Sequence, residues 1–270
     1  MSPADSPNPT DTPDPANRLP NARDLGGHRT QDGRSVRRGL IFRSAAPARE
    51  DHLTALHELG IARVYDLRTA GERDQRPVEL PEAAVRVHAD LLADEPDSGP
   101  ASLGAIARAA VSGERPDFDA DGLDRIFVEG YRSFATLPSS RRGTAGVLRR
   151  LAEPDSGPDL LYCTAGKDRT GWVASVILVT VGVGWDDVLA DYMISGPNVM
   201  ALLAPYREQF EAQGGDVAIM ERAISTYPHY LAAAHEAAIA DYGSWEDYLT
   251  GGLELDPAAI VALRERLLTP

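Results

Sequence analysis

Residues 163–171 constrain this chain more than any other part of its sequence. They read CTAGKDRTG and place the only cysteine of the chain six positions before an arginine. The residues just before them, 159–162, are typical of a short buried strand, and the apolar run 170–178 predicts a helix. The segment therefore predicts a tight loop between the end of a strand and the start of a helix.

A loop in this position is suited to binding an anion. Successive backbone N–H groups can face one concavity, and the dipole of the following helix adds partial positive charge there. Gly166 permits the tight turn. We therefore expect the loop to bind a phosphate group through the segment Thr164, Ala165, Gly166 and Lys167.

Three side chains of the loop are candidates for chemistry on that phosphate. The thiolate of Cys163 is a nucleophile when a helix N-terminus or nearby cations stabilise it. The planar fork of Arg169 is suited to holding two phosphate oxygens while sulfur attacks phosphorus. The hydroxyl of Thr170 is expected to hydrogen-bond the thiolate and to support hydrolysis of the resulting cysteinyl-phosphate. A lone cysteine is most often a small buried hydrophobic residue, but the glycine, the Arg-Thr-Gly ending and the flanking elements together favour the catalytic interpretation.

These residues resemble the signature loop of the cysteine-dependent protein tyrosine phosphatase superfamily. The CxxGKDRTG form is similar to that of the atypical bacterial tyrosine and lipid phosphatases. Segments 21–27, 39–44 and 66–69 resemble parts of the same family in the same order, so the resemblance covers about residues 17–195. It implies a protein-tyrosine phosphatase that forms a phosphocysteine intermediate, in some members with activity on phosphoserine, phosphothreonine or phosphoinositides.

The departing oxygen needs a proton, which a carboxylic acid commonly supplies. The resemblance implies that Asp168 is this acid. The alternative is that Asp168 points outward and caps the helix that follows. Other members of the superfamily carry the acid on a separate upstream loop, where this chain offers Asp117, Asp119, Asp121 and Asp124.

Three further residues have two interpretations each. Asp66 falls at a strand end, where α/β proteins place ligand contacts, but it could equally form a structural pair with Arg68. Lys167 could be a second cation beside the phosphate, which favours polyanionic substrates, or a solvated charge. Tyr162 stands where the family usually has histidine, and its hydroxyl could supply the loop with a hydrogen bond but no positive charge.

The rest of the pattern predicts an α/β fold with a mostly parallel central sheet flanked by helices. Residues 1–20 are rich in proline, serine and acidic residues and are expected to be a disordered tail. Residues 21–270 are expected to form one phosphatase domain, with 197–250 a helical insertion that we hypothesise to be a lid. The predicted strands lie near 40–43, 61–67, 85–89 and 159–163, and the predicted helices at 51–59, 123–137, 141–151, 199–213, 217–225, 230–240 and 257–268.

Charge and composition limit the partners. A formal net charge of -14 disfavours binding to nucleic acid and to anionic membranes. No run is long enough for a membrane span, and one cysteine suits a reducing cytoplasm. We expect a cytoplasmic enzyme without metal or cofactor, acting on a phosphotyrosine-containing protein or a phosphoinositide. The alternatives are a phosphoinositide phosphatase, a non-catalytic phosphate-binding module and a rhodanese-like sulfurtransferase.

Overall fold

A mostly parallel sheet organises the structure, a computed structural model that describes residues 14–95, 119–154, 157–212 and 214–270. The order of its five strands in space is β1-β2-β5-β3-β4. Only the edge strand β1 is antiparallel to its neighbour; the other pairs are parallel. This confirms the predicted fold class and the four predicted strands. The strands are β1 (Arg23–Asp24), β2 (Ile41–Ala45), β3 (Arg63–Asp66), β4 (Val85–His88) and β5 (Asp159–Cys163).

The central strand β5 places the cysteine at its carboxyl end. All five of its residues are buried, and residues 160–163 alternate between two hydrophobic clusters as a strand requires. Leu161 and Cys163 contribute to the larger cluster, and Leu160 and Tyr162 to the smaller one on the opposite face. Because the residue paired with Cys163 is Ala45 at the end of β2, the cysteine lies where parallel sheets present ligand-contacting groups.

Helices cover both faces of the sheet. The helix α1 packs on the smaller cluster, and most of the others pack on the larger one. Nearly every residue of α5 is buried, because this helix lies between the sheet and an outer helical layer. The helices are α1 (Glu50–Glu58), α2 (Ala70–Gln75), α3 (Ala120–Thr136), α4 (Pro138–Leu151), α5 (Asp168–Thr180), α6 (Trp185–Ala212), α7 (Val217–Ile224), α8 (Pro228–Tyr242), α9 (Trp245–Asp247) and α10 (Pro257–Leu267), with a π-helical turn at Tyr248–Gly252.

One helix is longer than the sequence indicated. A helix was expected to begin after Pro197, but α6 runs without interruption through both Pro197 and Pro205. Each proline removes one backbone donor, and the helix tolerates both. No helix in the described ranges combines the length and the apolar character needed to cross a membrane.

Part of the expected disordered tail, residues 14–20, has defined structure. Of the expected tail, residues 1–13 lie outside the described part of the chain. Pro15–Arg18 forms a short 3₁₀ helix, which the side chain of Asp14 caps by accepting from the amide of Ala16 at 2.9 Å. Ala16 and Leu19 are buried in the smaller cluster, so apolar contacts order residues 14–20.

The segment expected to be a lid, 197–250, has two different parts. In α8, Tyr230, Leu231 and Ala234 are fully buried in the larger cluster, so this part is core. In the second half of α6, Leu202 and Tyr206 are 41% and 59% exposed. The lid hypothesis therefore concerns only the part before α8, where it stays a prediction.

Candidate active site

The loop between β5 and α5 is as tight as its sequence predicts. Gly166 has a φ of 66°, a conformation that favours glycine. A Cβ atom at this position would lie 2.4 Å from the carbonyl carbon and oxygen of Ser44 at the end of β2. No side chain fits there, so the loop sits directly on the sheet.

Two side chains bind the loop from behind through its carbonyl groups. Asn21 Nδ2 donates to the oxygens of Ala165 at 2.9 Å and Gly166 at 3.1 Å, and Arg43 Nη2 donates to Gly166 at 2.9 Å. In a planar trans peptide the N–H points opposite to the C=O. The amides of Gly166 and Lys167 therefore face the other side of the loop. Within the described residues, no amide from Thr164 to Arg169 donates a hydrogen bond, which leaves a set of free donors for an anion.

A buried charge cluster fixes Arg43 in this supporting position. Asp191 on α6 accepts from Arg43 Nη1 at 2.8 Å and from Arg23 Nε at 2.7 Å. Burial by itself would raise the pKa of Asp191, but the neighbouring Arg43, His28 and Arg23 hold it well below its usual range. Segments 21–27 and 39–44, which resemble the family, thus support the loop.

Cys163 is a free cysteine, 2% exposed, at the floor of the loop. Arg43 and Arg169 lie close enough to interact electrostatically with its sulfur. Two buried polar atoms of the segment 163–171, Arg169 Nε and Thr170 Oγ1, have no hydrogen-bond partner among the residues described. The structure thus brings together the predicted nucleophile, the predicted arginine and an available hydroxyl.

Glu72 is a member of the site that the sequence interpretation missed. Its carboxylate accepts from Arg169 Nη1 at 2.5 Å and Nη2 at 2.7 Å, and also from the hydroxyl of Thr164. Burial would raise the pKa of Glu72, but the hydrogen bonds and charge of Arg169 outweigh it and lower the pKa to about 2. The terminal fork of Arg169 therefore binds Glu72, whereas the sequence analysis expected this fork to hold two phosphate oxygens. A guanidinium has five N–H groups, so the edge formed by Nε and Nη2 still offers donors.

A sequence signal for Glu72 exists. Thr69 and Glu72 have the spacing of a capping box, in which each side chain bonds the backbone of the other at a helix start. The amide of Thr69 donates to Glu72 Oε2 at 2.9 Å, and the amide of Glu72 donates to Thr69 Oγ1 at 3.3 Å. This cap begins α2 directly after the segment 66–69 and turns Glu72 toward the catalytic loop.

Asp168 is the first residue of α5, and its side chain does not cap that helix. No side chain caps the start of α5. Asp168 is 3% exposed, and its Oδ1 accepts from Tyr131 OH at 2.7 Å and forms an ion pair with Lys167 Nζ at 2.9 Å. The outward-pointing alternative therefore does not describe this structure.

The upstream acids lie on or before α3. Asp119 caps α3 by accepting from the amide of Gly122 at 2.8 Å. Asp124 accepts from Arg222 and Tyr230, both at 2.9 Å. Asp121 is exposed in the first turn of α3, and Asp117 lies outside the described residues. Asp119 and Asp124 thus have structural partners, which favours Asp168 as the acid.

Lys167 is held by partners inside the protein. It is fully buried and therefore is not a solvated charge. Besides Asp168, its ammonium group contacts the carbonyl oxygen of Ser225 at 2.9 Å and lies 5.0 Å from the ring centre of Phe127. Lys167 thus ties the catalytic loop to the end of α7.

Asp66 has the structural role that the sequence left open. It is fully buried and accepts from Arg68 Nε at 2.9 Å and Nη2 at 2.7 Å. Tyr162 OH donates to it at 2.5 Å. Because Tyr162 lies on the face of β5 opposite to Cys163, its hydroxyl supports this pair and does not serve the loop.

Comparison with known proteins agrees with this geometry. Residues 15–269 match the tyrosine phosphatase family. The chain is 32% identical over 245 residues to a Cupriavidus necator protein named "Putative tyrosine-protein phosphatase", covering 90% of this chain and 84% of that protein. It is 31% identical over 240 residues to the triple specificity protein phosphatase PtpB of Mycobacterium tuberculosis, covering 80% and 86%. Because the family match spans nearly the whole sequence, the chain belongs to the tyrosine phosphatase family.

Proposed function

We propose that this protein-tyrosine phosphatase hydrolyses phosphate monoesters through a phosphocysteine intermediate on Cys163. The observation that carries the proposal is the asymmetry of the catalytic loop. Its carbonyl side is bound by Asn21 and Arg43, whereas its amides, Arg169 Nε and Thr170 Oγ1 have no partner among the described residues. Donors arranged in advance around a nucleophile stabilise the charge that develops on a phosphoryl group.

In the first step, the thiolate of Cys163 attacks phosphorus in line with the ester oxygen. The S–P bond forms as the P–O ester bond breaks, and the electron pair of that bond goes to the departing oxygen. Asp168 gives this oxygen a proton and becomes a carboxylate. The loop amides and the Nε edge of Arg169 bind the remaining phosphate oxygens.

In the second step, water hydrolyses the intermediate. Asp168 takes a proton from the attacking water, the O–P bond forms and the S–P bond breaks. The electron pair returns to sulfur, and the resulting thiolate is stabilised by the hydroxyl of Thr170 and by the nearby charges of Arg43 and Arg169. Inorganic phosphate leaves, and the resting enzyme is restored.

A phosphotyrosine-containing protein is the proposed substrate, with dual or lipid specificity a secondary activity. The sequence argument for phosphoinositides used Lys167 as a second cation at the phosphate. In the structure the ammonium group of Lys167 is bound to Asp168 and the carbonyl of Ser225, so this argument loses its support. The name of PtpB, a triple specificity phosphatase, motivates testing several substrate classes.

The test measures phosphate release from a phosphotyrosine peptide and from a soluble phosphoinositide, in the presence of a chelator and a reductant. We expect the peptide to react faster, and Cys163→Ser to lower both rates at least about a thousandfold because serine is a poorer nucleophile. A faster phosphoinositide reaction would make the lipid the main substrate. Activity retained by Cys163→Ser would overturn the nucleophile assignment.

A further inference from the structure

Two buried tyrosines meet next to the catalytic loop. Tyr131 on α3 and Tyr192 on α6 are 0% and 1% exposed, and their hydroxyl oxygens are 2.6 Å apart. Tyr131 OH also lies 2.7 Å from Asp168 Oδ1. Gly171 makes room for this arrangement, because a Cβ atom there would lie 2.9 Å from the ring of Tyr192.

The number of protons fixes the direction of this chain of hydrogen bonds. An ionised carboxylate only accepts, and each hydroxyl has one proton to donate. Tyr131 therefore donates to Asp168, and Tyr192 donates to Tyr131. Burial raises the pKa of each tyrosine well above the ordinary tyrosine value, and the negative charge of Asp168 raises it further. Both tyrosines therefore keep their protons at neutral pH.

The two carboxyl oxygens of Asp168 consequently differ in their partners. Oδ1 accepts a hydrogen bond from the hydroxyl of Tyr131 and forms an ion pair with the ammonium group of Lys167 at 2.9 Å. Oδ2 has no hydrogen-bond partner in the described ranges, and 5% of the Asp168 side chain is exposed. An oxygen that accepts a hydrogen bond and lies against an ammonium group is a poor place for a proton, so a proton on this carboxyl is favoured on Oδ2.

We propose that Tyr131, supported by Tyr192, is a positioning residue that holds Asp168 with Oδ2 as the oxygen that transfers the proton. This inference rests on the proposed role of Asp168. As the P–O ester bond breaks, the Oδ2–H bond breaks as well, and the departing oxygen takes that proton. When water attacks the phosphocysteine, Oδ2 takes a proton back, while Oδ1 keeps its contacts with Tyr131 and Lys167 throughout.

The test compares two substrates of the same shape in Tyr131→Phe. The leaving group of 4-nitrophenyl phosphate departs readily without a proton, whereas that of phenyl phosphate needs one. We expect kcat/KM for phenyl phosphate to fall about tenfold, as for loss of one hydrogen bond, and kcat/KM for 4-nitrophenyl phosphate to fall less than about twofold. The ratio of the two values does not depend on the folded fraction of the sample. Tyr192→Phe should change it in the same direction by a smaller factor.

Tyr248→Phe is the matched control, because Tyr248 is also fully buried and its hydroxyl has no partner among the described residues. It should leave the ratio unchanged. Asp168→Asn separates the two proposals. If it lowers phenyl phosphate turnover selectively while Tyr131→Phe lowers both substrates equally, the positioning role is wrong and the acid assignment stands. If Asp168→Asn itself leaves the ratio unchanged, the proposed acid is wrong. In an Asp168→Asn background, Tyr131→Phe should cause no further change in the ratio.

Discussion

Two arginine–carboxylate pairs lie close together in this protein and serve different purposes. Asp66 and Arg68 form a two-point pair at the end of β3, and Glu72 binds Arg169 in the same two-point manner. Both carboxylates have a lowered pKa. A two-point ion pair therefore does not by itself mark a functional site.

The two pairs differ in whether every guanidinium nitrogen of the arginine has a hydrogen-bond partner. Arg68 uses all three: Nε and Nη2 bind Asp66, Nη1 donates to the carbonyl of Arg76 at 2.7 Å, and Nη2 also contacts Tyr162. Arg169 keeps Nε without a partner in the described residues. The first pair is complete and stabilises the fold, whereas the second holds an arginine whose other edge remains available to an oxyanion.

Replacing each arginine by lysine tests this contrast and should produce the largest difference. Arg169→Lys is expected to lower kcat/KM at least about a hundredfold, because an ammonium group cannot bind Glu72 and phosphate through two flat edges. Arg68→Lys should lower the free energy of unfolding by about 3 kcal/mol, as for a damaged buried pair, with kcat/KM of the folded enzyme within about threefold of wild type. Steady-state kinetics gives kcat/KM of both variants, and chemical denaturation gives their free energies of unfolding. Equal losses of kcat/KM would break the distinction.

Gly166→Ala should damage the loop itself. The new Cβ would overlap the backbone of Ser44, so we expect a loss of about 3 kcal/mol or more in the free energy of unfolding together with a loss of activity. Gly182→Ala is the matched control: its φ is also positive, 94°, but its Cβ would meet only Thr30 Cβ at 3.8 Å. It should cost about 1–2 kcal/mol and spare activity. Similar denaturation curves for the two variants would contradict the close approach of loop and strand.

Substituting the two carboxylates, Glu72 and Asp66, tests the same comparison of the two pairs with smaller expected effects. Glu72→Gln should lower kcat/KM about tenfold, because the guanidinium of Arg169 loses its charged partner and its fixed orientation. Asp66→Asn should act mainly on the free energy of unfolding. A selective kinetic effect of Asp66→Asn would return that residue to the list of substrate contacts.

The last prediction concerns the pH dependence of stability. The folded-state pKa of Glu72, about 2, lies below its ordinary 4.5. The unfolded state thus binds the proton more readily, so the stabilisation is present above about pH 4.5 and is lost as the pH falls toward 2. It amounts to at most about 3 kcal/mol. The difference in free energy of unfolding between wild type and Glu72→Gln should narrow over this interval; a constant difference would mean that the charge of Glu72 is not what stabilises the pair.

The parts predicted well from sequence are those with a strong apolar pattern. The strand β5 and the helix α5 enclose the loop where their buried runs indicated, so Cys163 lies at the end of β5 and Arg169 and Thr170 lie in the first turn of α5. In contrast, α2 reads AGERDQ, has no buried residue and so no hydrophobic periodicity. Glu72 was missed with it, although the Thr69 capping box was visible.

Contacts between distant segments could not be read from local pattern. The partner of Lys167 is the carbonyl of Ser225, 58 positions away, and Tyr131 reaches Asp168 from 37 positions upstream. Packing of α3, α6 and α7 around the loop decides these contacts, and side-chain spacing does not encode that packing. The prediction that a helix begins after Pro197 was wrong for the same reason, because α6 continues through this proline in the folded structure.

The most direct test is to identify where phosphate becomes attached during turnover. Wild type and Thr170→Ala would be mixed with a phosphotyrosine peptide, quenched within milliseconds and digested for mass spectrometry. We predict phosphate on the peptide that contains Cys163, and more of it in Thr170→Ala, because the thiolate then departs more slowly from phosphorus. Phosphate on any other residue, or rapid turnover with no labelled Cys163 peptide in either protein, would contradict the account.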